Sequence, residues 1–242
     1  MKESAAPVVP DPTSPLPKSR QVREMFARIA PTYDLLNRLL SLGVDQRWRA
    51  YAVERLTVPS PARVLDLCGG TGDFAGQLLR KRPRDTVHVA DFCEPMLRKA
   101  RERFGTEHGV TCGDALRLPF EDGSFDSALC GFGVRNWSDL EAGLLETRRV
   151  LRIGGEFALL DFFRAGTSLS DRFGRFYVHK VLPFVGGLVS GNREAYRYLA
   201  DSMDGFCSVD QFVRRAEGVG FSVKIRKRFF LGLCWLLVLE RR

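Results

Sequence analysis

The run Val64-Leu65-Asp66-Leu67-Cys68-Gly69-Gly70-Thr71-Gly72-Asp73 constrains this chain more than any other stretch. A short apolar segment ends in Asp66 and breaks into a glycine-rich turn. From Phe74 an amphipathic helical pattern begins, with Phe74, Leu78 and Leu79 on one side and Gln77, Arg80 and Lys81 on the other. This is strand, tight turn, helix: the opening βα unit of a nucleotide-type α/β fold. Glycines suit the turn because a ligand must approach the backbone where a Cβ would collide.

The charges around the turn choose among ligands. Read as Gly70-x-Gly72-x-x-Ala75, it passes for a dinucleotide fingerprint, with Asp91 near the ribose-binding distance downstream. A pyrophosphate at the helix N-terminus, however, is dianionic, and Asp66 and Asp73 at the two ends of the turn would repel it. S-adenosylmethionine carries an ammonium and a sulfonium, which acids attract. Adenosylmethionine is therefore the expected ligand, held by Asp66, Gly70, Thr71 and Gly72. A dinucleotide, or a purely structural glycine turn, are the alternatives.

Beyond the turn, strand and helix alternate. Strands are expected at 63–67, 87–91, 109–112, 125–131 and 156–162, and helices at 73–82, 94–104 and 139–151. Such alternation predicts a parallel sheet with helices on both faces, its ligand at the carboxyl ends of the strands. Two β-rich runs, 222–230 and 233–240, predict a terminal hairpin. Upstream, Val22, Phe26, Ile29, Tyr33, Leu36 and Leu40 form a helical stripe that Pro31 splits in two, and Trp48, Tyr51, Ala52 and Leu56 mark a further helix.

The expected organisation is a Pro-rich, disordered tail over 1–19 and a single domain over 20–242. Within that domain, 20–60 is a helical cap and 164–205 an aromatic insertion on the acceptor side. The insertion could receive an apolar chain or serve as core packing. The six cysteines form no C-x-x-C pair, so reduced thiols are expected, and no metal-binding cluster is apparent. With no signal-peptide pattern and no apolar run near ~20 residues, a cytoplasmic location is expected. The net charge of +8 permits contact with nucleic acid or an anionic membrane surface. The basic residues of the cap (Arg20, Arg23, Arg28, Arg38, Arg47, Arg49, Arg55) and of 224–228 read as a solvated face or a peripheral membrane contact.

Three features follow the glycine turn at strand ends. Asp91 can accept both ribose hydroxyls. Asp114 can accept from an adenine amino group, with Ala115 as apolar neighbour of the ring. The loop Gly131-Phe132-Gly133-Val134-Arg135-Asn136-Trp137 follows the fourth strand, where an amino-methylating enzyme of nucleic acid would carry an Asn/Asp-Pro-Pro-Tyr-type loop. Nucleic acid is accordingly not expected as a partner.

From about Val22 to Glu240 the chain resembles the ubiquinone/menaquinone biosynthesis C-methyltransferases, a branch of the class I adenosylmethionine-dependent methyltransferases. Matching blocks are Tyr33-Asp34-Leu35-Leu36-Asn37 with Ser41 and Trp48, the glycine turn itself, Phe132 to Asn136 with Asp139, Arg149-Val150-Leu151 with Gly154-Gly155, and Asn192, Ala195-Tyr196 and Tyr198-Leu199. The resemblance implies a Rossmann-like α/β fold, a seven-stranded, mostly parallel sheet closed by the antiparallel hairpin. It also implies methylation of a ring carbon of a prenylated quinol, most directly demethylmenaquinol, with another small aromatic as the alternative acceptor. Arg135 and Asn136 are then expected on a quinol oxygen, and Tyr33, Asn37 and Tyr196 around the acceptor. No general base stands out, nor any signal for an oligomeric state. Departures from the family pattern are Asp45 for histidine, Asp161 for glutamate, Cys68 for alanine, Gly131 for serine, a residue other than serine near Phe163, and Arg152-Ile153 for lysine-proline.

Overall fold

The computed structural model describes residue 10 and residues 17–31, 33–41, 43–166, 168–181 and 193–242. Three helices come first: α1 (Lys18–Ile29), α2 (Tyr33–Ser41) and α3 (Val44–Glu54). The alternating core follows as β1 (Arg63–Leu67), α4 (Asp73–Lys81), β2 (Thr86–Asp91), α5 (Glu94–Phe104), β3 (Gly109–Cys112), β4 (Phe125–Gly131), α6 (Leu140–Val150) and β5 (Leu151–Phe162). The chain closes with α7 (Leu169–Phe176), α8 (Arg193–Asp204), α9 (Val209–Gly218), β6 (Phe221–Phe229) and β7 (Cys234–Arg241).

The seven strands form one sheet in the order β3-β2-β1-β4-β5-β7-β6. Strands β1 to β5 run parallel, and β7 lies antiparallel between β5 and β6. Because both faces are covered, apolar residues run consecutively through the central strands rather than alternating, as in Val64-Leu65 and Phe157 to Leu160. On one face Leu65, Leu67, Phe157, Leu159 and Leu237 pack with Leu144 of α6 and Phe212 of α9. On the other, Val64, Leu129, Leu160 and Val238 pack with Val53 of α3, Leu78 of α4 and Leu97 of α5. Local chemistry fixes the helix starts. Asp139 accepts from the N–H groups of Glu141 and Ala142 at 3.0 Å each, and Ser208 forms a capping box with Gln211.

Two boundaries differ from expectation by more than one residue. The first helix begins at Lys18, inside the expected tail; residues 1–9 and 11–16 lie outside the described residues. Strand β5 begins at Leu151, not Glu156, and Leu151 pairs with Phe125 before the register shifts to Ser127–Glu156. Gly154, at φ +75°, sits in that irregularity, and two consecutive glycines disguise the strand. Of the aromatic insertion, the segment 182–192 lies outside the described residues.

Candidate functional site

The glycine turn sits where β1, β2 and β4 end. Gly70 and Gly72 have φ of +56° and +81°, which glycine adopts without strain. Asp91, the last residue of β2, reaches across to the turn. Its Oδ2 accepts from the Gly70 N–H at 3.0 Å and its Oδ1 from the Cys93 N–H at 2.8 Å. Burial pushes this carboxyl up to about 6, against the pull of those backbone donors. Gly70 and Asp91 line a cavity together with Met96, Asp114, Ala115 and Phe132. Asp114 holds the Leu116 N–H at 3.0 Å, which turns the chain beneath Ala115.

No lysine, arginine or histidine lines this cavity among the described residues. A pyrophosphate would find nothing to balance its charge there, whereas two carboxylates and apolar walls suit a cationic nucleoside. The residues present therefore fit adenosylmethionine.

Three turn residues expected on the ligand are placed elsewhere. Asp66 is fully buried beneath the turn, its Oδ2 accepting from the Ala75 N–H at 2.8 Å. Its Oδ1 has no partner among the described residues, and burial pushes the carboxyl up to about 7. Thr71 turns away and donates to Asp34 on α2 at 2.6 Å. Gly72 faces Phe104, and a Cβ there would collide with that ring. Only Gly70 of these four lines the cavity; Asp66, Thr71 and Gly72 shape the turn instead. Asp73 also looks away. Arg38 bonds it at 2.9 and 3.0 Å and Arg103 at 3.1 Å. Burial raises the Asp73 carboxyl, but Arg49, Arg38 and Arg103 outweigh it and hold the group below its ordinary range.

A second cavity adjoins the first, and Phe26, Tyr33 and Phe132 line both. Its polar groups are Tyr33, Asn37, Ser41, Asp45, Arg135 and Tyr198, set among Met25, Trp48, Phe162, Tyr177 and Phe230. Phe132 adopts φ +62° at the end of β4 and stacks on Phe162, ring centroids 5.1 Å apart. A turn of 3-10 helix over Val134–Asn136 then presents Arg135. The Arg135 guanidinium is clamped from three sides. Its Nη1 donates to Asp161 Oδ1 and to the Phe132 carbonyl at 2.7 Å each, and its Nε donates to Ser202 at 3.2 Å. The backbone N–H of Arg135 adds a bond to Asp161 Oδ2 at 3.2 Å. Burial alone would ease the proton off this guanidinium; the Asp161 carboxylate more than offsets that. Nη2 makes no hydrogen bond to a described residue.

Tyr33 and Asn37 both line this second cavity, and Asn37 Nδ2 is buried without a partner among the described residues. Asn136 does not line it. It lines the first cavity, and Tyr198 of the second donates to its Oδ1 at 2.7 Å. Tyr196 lies on α8, but its side chain is outside the described residues. Its neighbour Tyr198 is the residue found at the cavity, its hydroxyl pushed up to about 12 by burial. His179 pairs with Asp204 at 3.1 Å and does not line the cavity.

Much of the expected basic face is committed internally. Arg38 bridges Asp45 and Asp73 at 2.7 and 2.9 Å. Arg49 is buried, 3.5 Å from Asp45, with its guanidinium over the rings of Phe74 and Phe132 at 5.4 and 5.1 Å. Lys224 meets Glu156 and Glu240, Arg226 meets Asp210, and Arg228 meets Asp171.

Comparison with known proteins agrees with this geometry. Residues 16–236 match the model of the ubiE/COQ5 methyltransferase family. A demethylmenaquinone methyltransferase of Deinococcus radiodurans is 43% identical over 93% of this chain and 94% of its own. One of Thermus thermophilus is 46% identical over 83% and 92%. Among solved structures, an adenosylmethionine-dependent methyltransferase of Thermotoga maritima superposes with a TM-score of 0.63 at 21% identity, covering 89% of this chain and 97% of that one. That last likeness shows the fold. The family match and the two long relatives go further: this chain belongs to the ubiE/COQ5 methyltransferase family and is an enzyme that uses S-adenosylmethionine as methyl donor.

Proposed function

We propose that the enzyme methylates a ring carbon of a prenylated quinol, demethylmenaquinol to menaquinol. The observation that carries this reading is the second cavity. It is walled by aromatic and aliphatic side chains, holds one clamped arginine, and shares Tyr33 and Phe132 with the cavity that fits the donor. The names of the two long relatives point to the same acceptor.

The donor supplies an already electrophilic methyl on a sulfonium. In the first cavity Asp91 accepts from the ribose hydroxyls and Asp114 from the adenine amino group. Asp66, buried beneath the turn, accepts from the Ala75 N–H and so holds the turn in shape rather than touching the donor. In the second, Arg135 Nη2 donates to a quinol oxygen and stabilises the phenolate left once that hydroxyl has released its proton to solvent. That places electron density on the ortho carbon when it must attack. The proton on the methylated ring carbon leaves afterwards, as aromaticity returns. Asp161, Ser202 and the Phe132 carbonyl keep the guanidinium fixed, so little reorganisation accompanies the reaction. Asn37 Nδ2 offers a second donor from the cap side. Asn136 acts through Tyr198, which it orients.

We further assign residues 20–60 as the cap over both cavities and 164–205 as the acceptor-side segment of one domain. Among the described residues no helix is long and apolar enough to cross a membrane. A prenylated acceptor resides in lipid, so the enzyme meets a membrane surface peripherally.

The test offers labelled adenosylmethionine with a short-chain demethylmenaquinol, its quinone, and a non-prenylated aromatic. Turnover of the quinol alone supports the reading, since oxidation converts both oxygens to electron-withdrawing carbonyls. Turnover of only the non-prenylated aromatic would move the activity to another small acceptor. Equal rates on quinol and quinone would refute the mechanism.

A further inference from the structure

Helix α7 is packed with its apolar side outward. Leu169, Phe173 and Phe176 are 72%, 62% and 60% exposed. At ~100° per residue their spacing confines them to one stripe ~60° wide. The opposite, packed side carries Asp171 and Gly174. Asp171 is buried, capping Ser168 and paired with Arg228 at 2.7 Å. Gly174 lies against Leu233, so that a Cβ would come within 2.8 Å of its Cγ. Water alone would select the reverse arrangement.

The surroundings indicate what covers the stripe. Arg172, Arg175 and Lys180 are exposed beside it, Arg175 3.7 Å from Asp204. With ~150–250 Å² per aromatic side chain, the exposed stripe comes to roughly 400 Å². That is about half of what each partner gives to a stable protein interface. It is ample for an interfacial helix, which inserts a few aromatic side chains and sets basic residues against anionic headgroups. The same segment runs directly into Tyr177 and Val178, which line the acceptor cavity.

We propose that α7 docks the enzyme on an anionic lipid surface, inserting Leu169, Phe173 and Phe176 beside the mouth of the acceptor cavity. The purpose of this contact rests on the quinol reading, while the surface argument does not. The test is sedimentation of the full chain with phosphatidylglycerol–phosphatidylcholine vesicles, without acceptor. Phe173→Ser/Phe176→Ser should weaken binding about tenfold or more. It should leave methyl transfer to a short-chain quinol in solution unchanged. A Phe173→Trp variant, which removes no apolar area, should be quenched by bromine-labelled acyl chains and keeps the test open if the double variant fails to fold. Vesicle binding equal to wild type in the folded double variant, or no quenching of the bound tryptophan variant, overturns the proposal. So does a wild-type dimer that the double substitution dissociates, which would give the stripe to a second copy. Vesicle binding as expected without quinol turnover would refute the quinol reading and leave α7 in place.

Discussion

Replacing Asp91 by asparagine separates binding from folding in a way that alanine does not. Alanine would strip the partners from the Gly70 and Cys93 N–H groups, two donors that shape the turn itself. Asparagine keeps the shape and one acceptor oxygen, which can stay with Cys93, and places an amide NH2 toward Gly70. Removing a charge-assisted contact to the ribose should weaken binding by ~1.5–3 kcal/mol, or roughly 10- to 150-fold in Kd. The NH2-to-N–H confrontation should lower stability by about 1 kcal/mol. Titration calorimetry with adenosylhomocysteine and a thermal melt read the two effects separately. A pH series adds a second check. Burial holds the Asp91 carboxyl up at about 6, above its ordinary ~3.9. The unliganded protein therefore gains stability from this group as pH falls from about 6 toward ~4, a gain absent above that window. Hydroxyl donation needs the carboxylate, so affinity should fall as pH drops through 6, by up to about tenfold per unit. In Asp91→Asn the profile should flatten, keeping the slope from Asp66, whose carboxyl is pushed up to about 7. A folded variant with wild-type affinity, or two parallel pH profiles, would refute the ribose assignment.

Arg135→Lys should lower kcat by ~10- to 100-fold with adenosylhomocysteine affinity unchanged, because lysine cannot keep the three-sided clamp and still reach the acceptor; equal loss of cofactor affinity would place Arg135 elsewhere. Asp161→Asn leaves the buried guanidinium with a neutral partner and should destabilise by ~2–4 kcal/mol in a denaturant melt, toward the low side of the cost of breaking a buried pair. Tyr198→Phe removes one hydrogen bond to Asn136 and should lower stability by ~1 kcal/mol, with a smaller effect on kcat than Arg135→Lys. Gly131→Ser should destabilise by ~1–3 kcal/mol because the new Cβ collides with the Arg49 guanidinium. In an Arg49→Ala background that cost should largely vanish, and additive effects across the double-mutant cycle would show that the two positions do not interact.

The core was legible in the sequence because its strands are buried on both faces and its glycine turn has few structural solutions. β1, β4 and their helices fall where alternation puts them. The start of β5 was hidden because Gly154 and Gly155 look like a loop while they serve as an irregularity in a strand. The lining of the first cavity includes Gly70, Asp91, Asp114 and Ala115, each at or within three residues of a strand's carboxyl end. The displacement of Thr71 has a different cause. Thr71 and Asp73 point to the cap, through partners Asp34 and Arg38 lying 37 and 35 residues away in the chain. No local pattern encodes which side of a turn a cap will cover. The inference from acids near the turn to a cationic ligand survives on different atoms: Asp91 and Asp114 line the cavity, while Asp73 is neutralised by arginines.

The acceptor side is where this chain departs from the pattern it resembles, and three of those departures are physically connected. Asp45 accepts from Arg38 at 2.7 Å, Ser41 at 2.8 Å and Gln46 at 2.9 Å, with Arg49 at 3.5 Å. Arg49 in turn fills the volume beside Gly131 and rests on the Phe132 ring. Phe132 is the wall between the two cavities, and its carbonyl accepts from Arg135, which Asp161 holds. A carboxylate on the cap, a missing Cβ at the end of β4 and a carboxylate on β5 thus meet at one residue, Phe132, the first two through its ring and the third through its carbonyl. A histidine at 45 would hold Arg38 and Arg49 only weakly, and a serine at 131 would displace Arg49 from its place. Each of those changes would then move Phe132, and with it the distance between acceptor carbon and donor methyl. The three positions are therefore expected to act as a unit, with acceptor preference set as much by what supports that wall as by the residues that touch the ring.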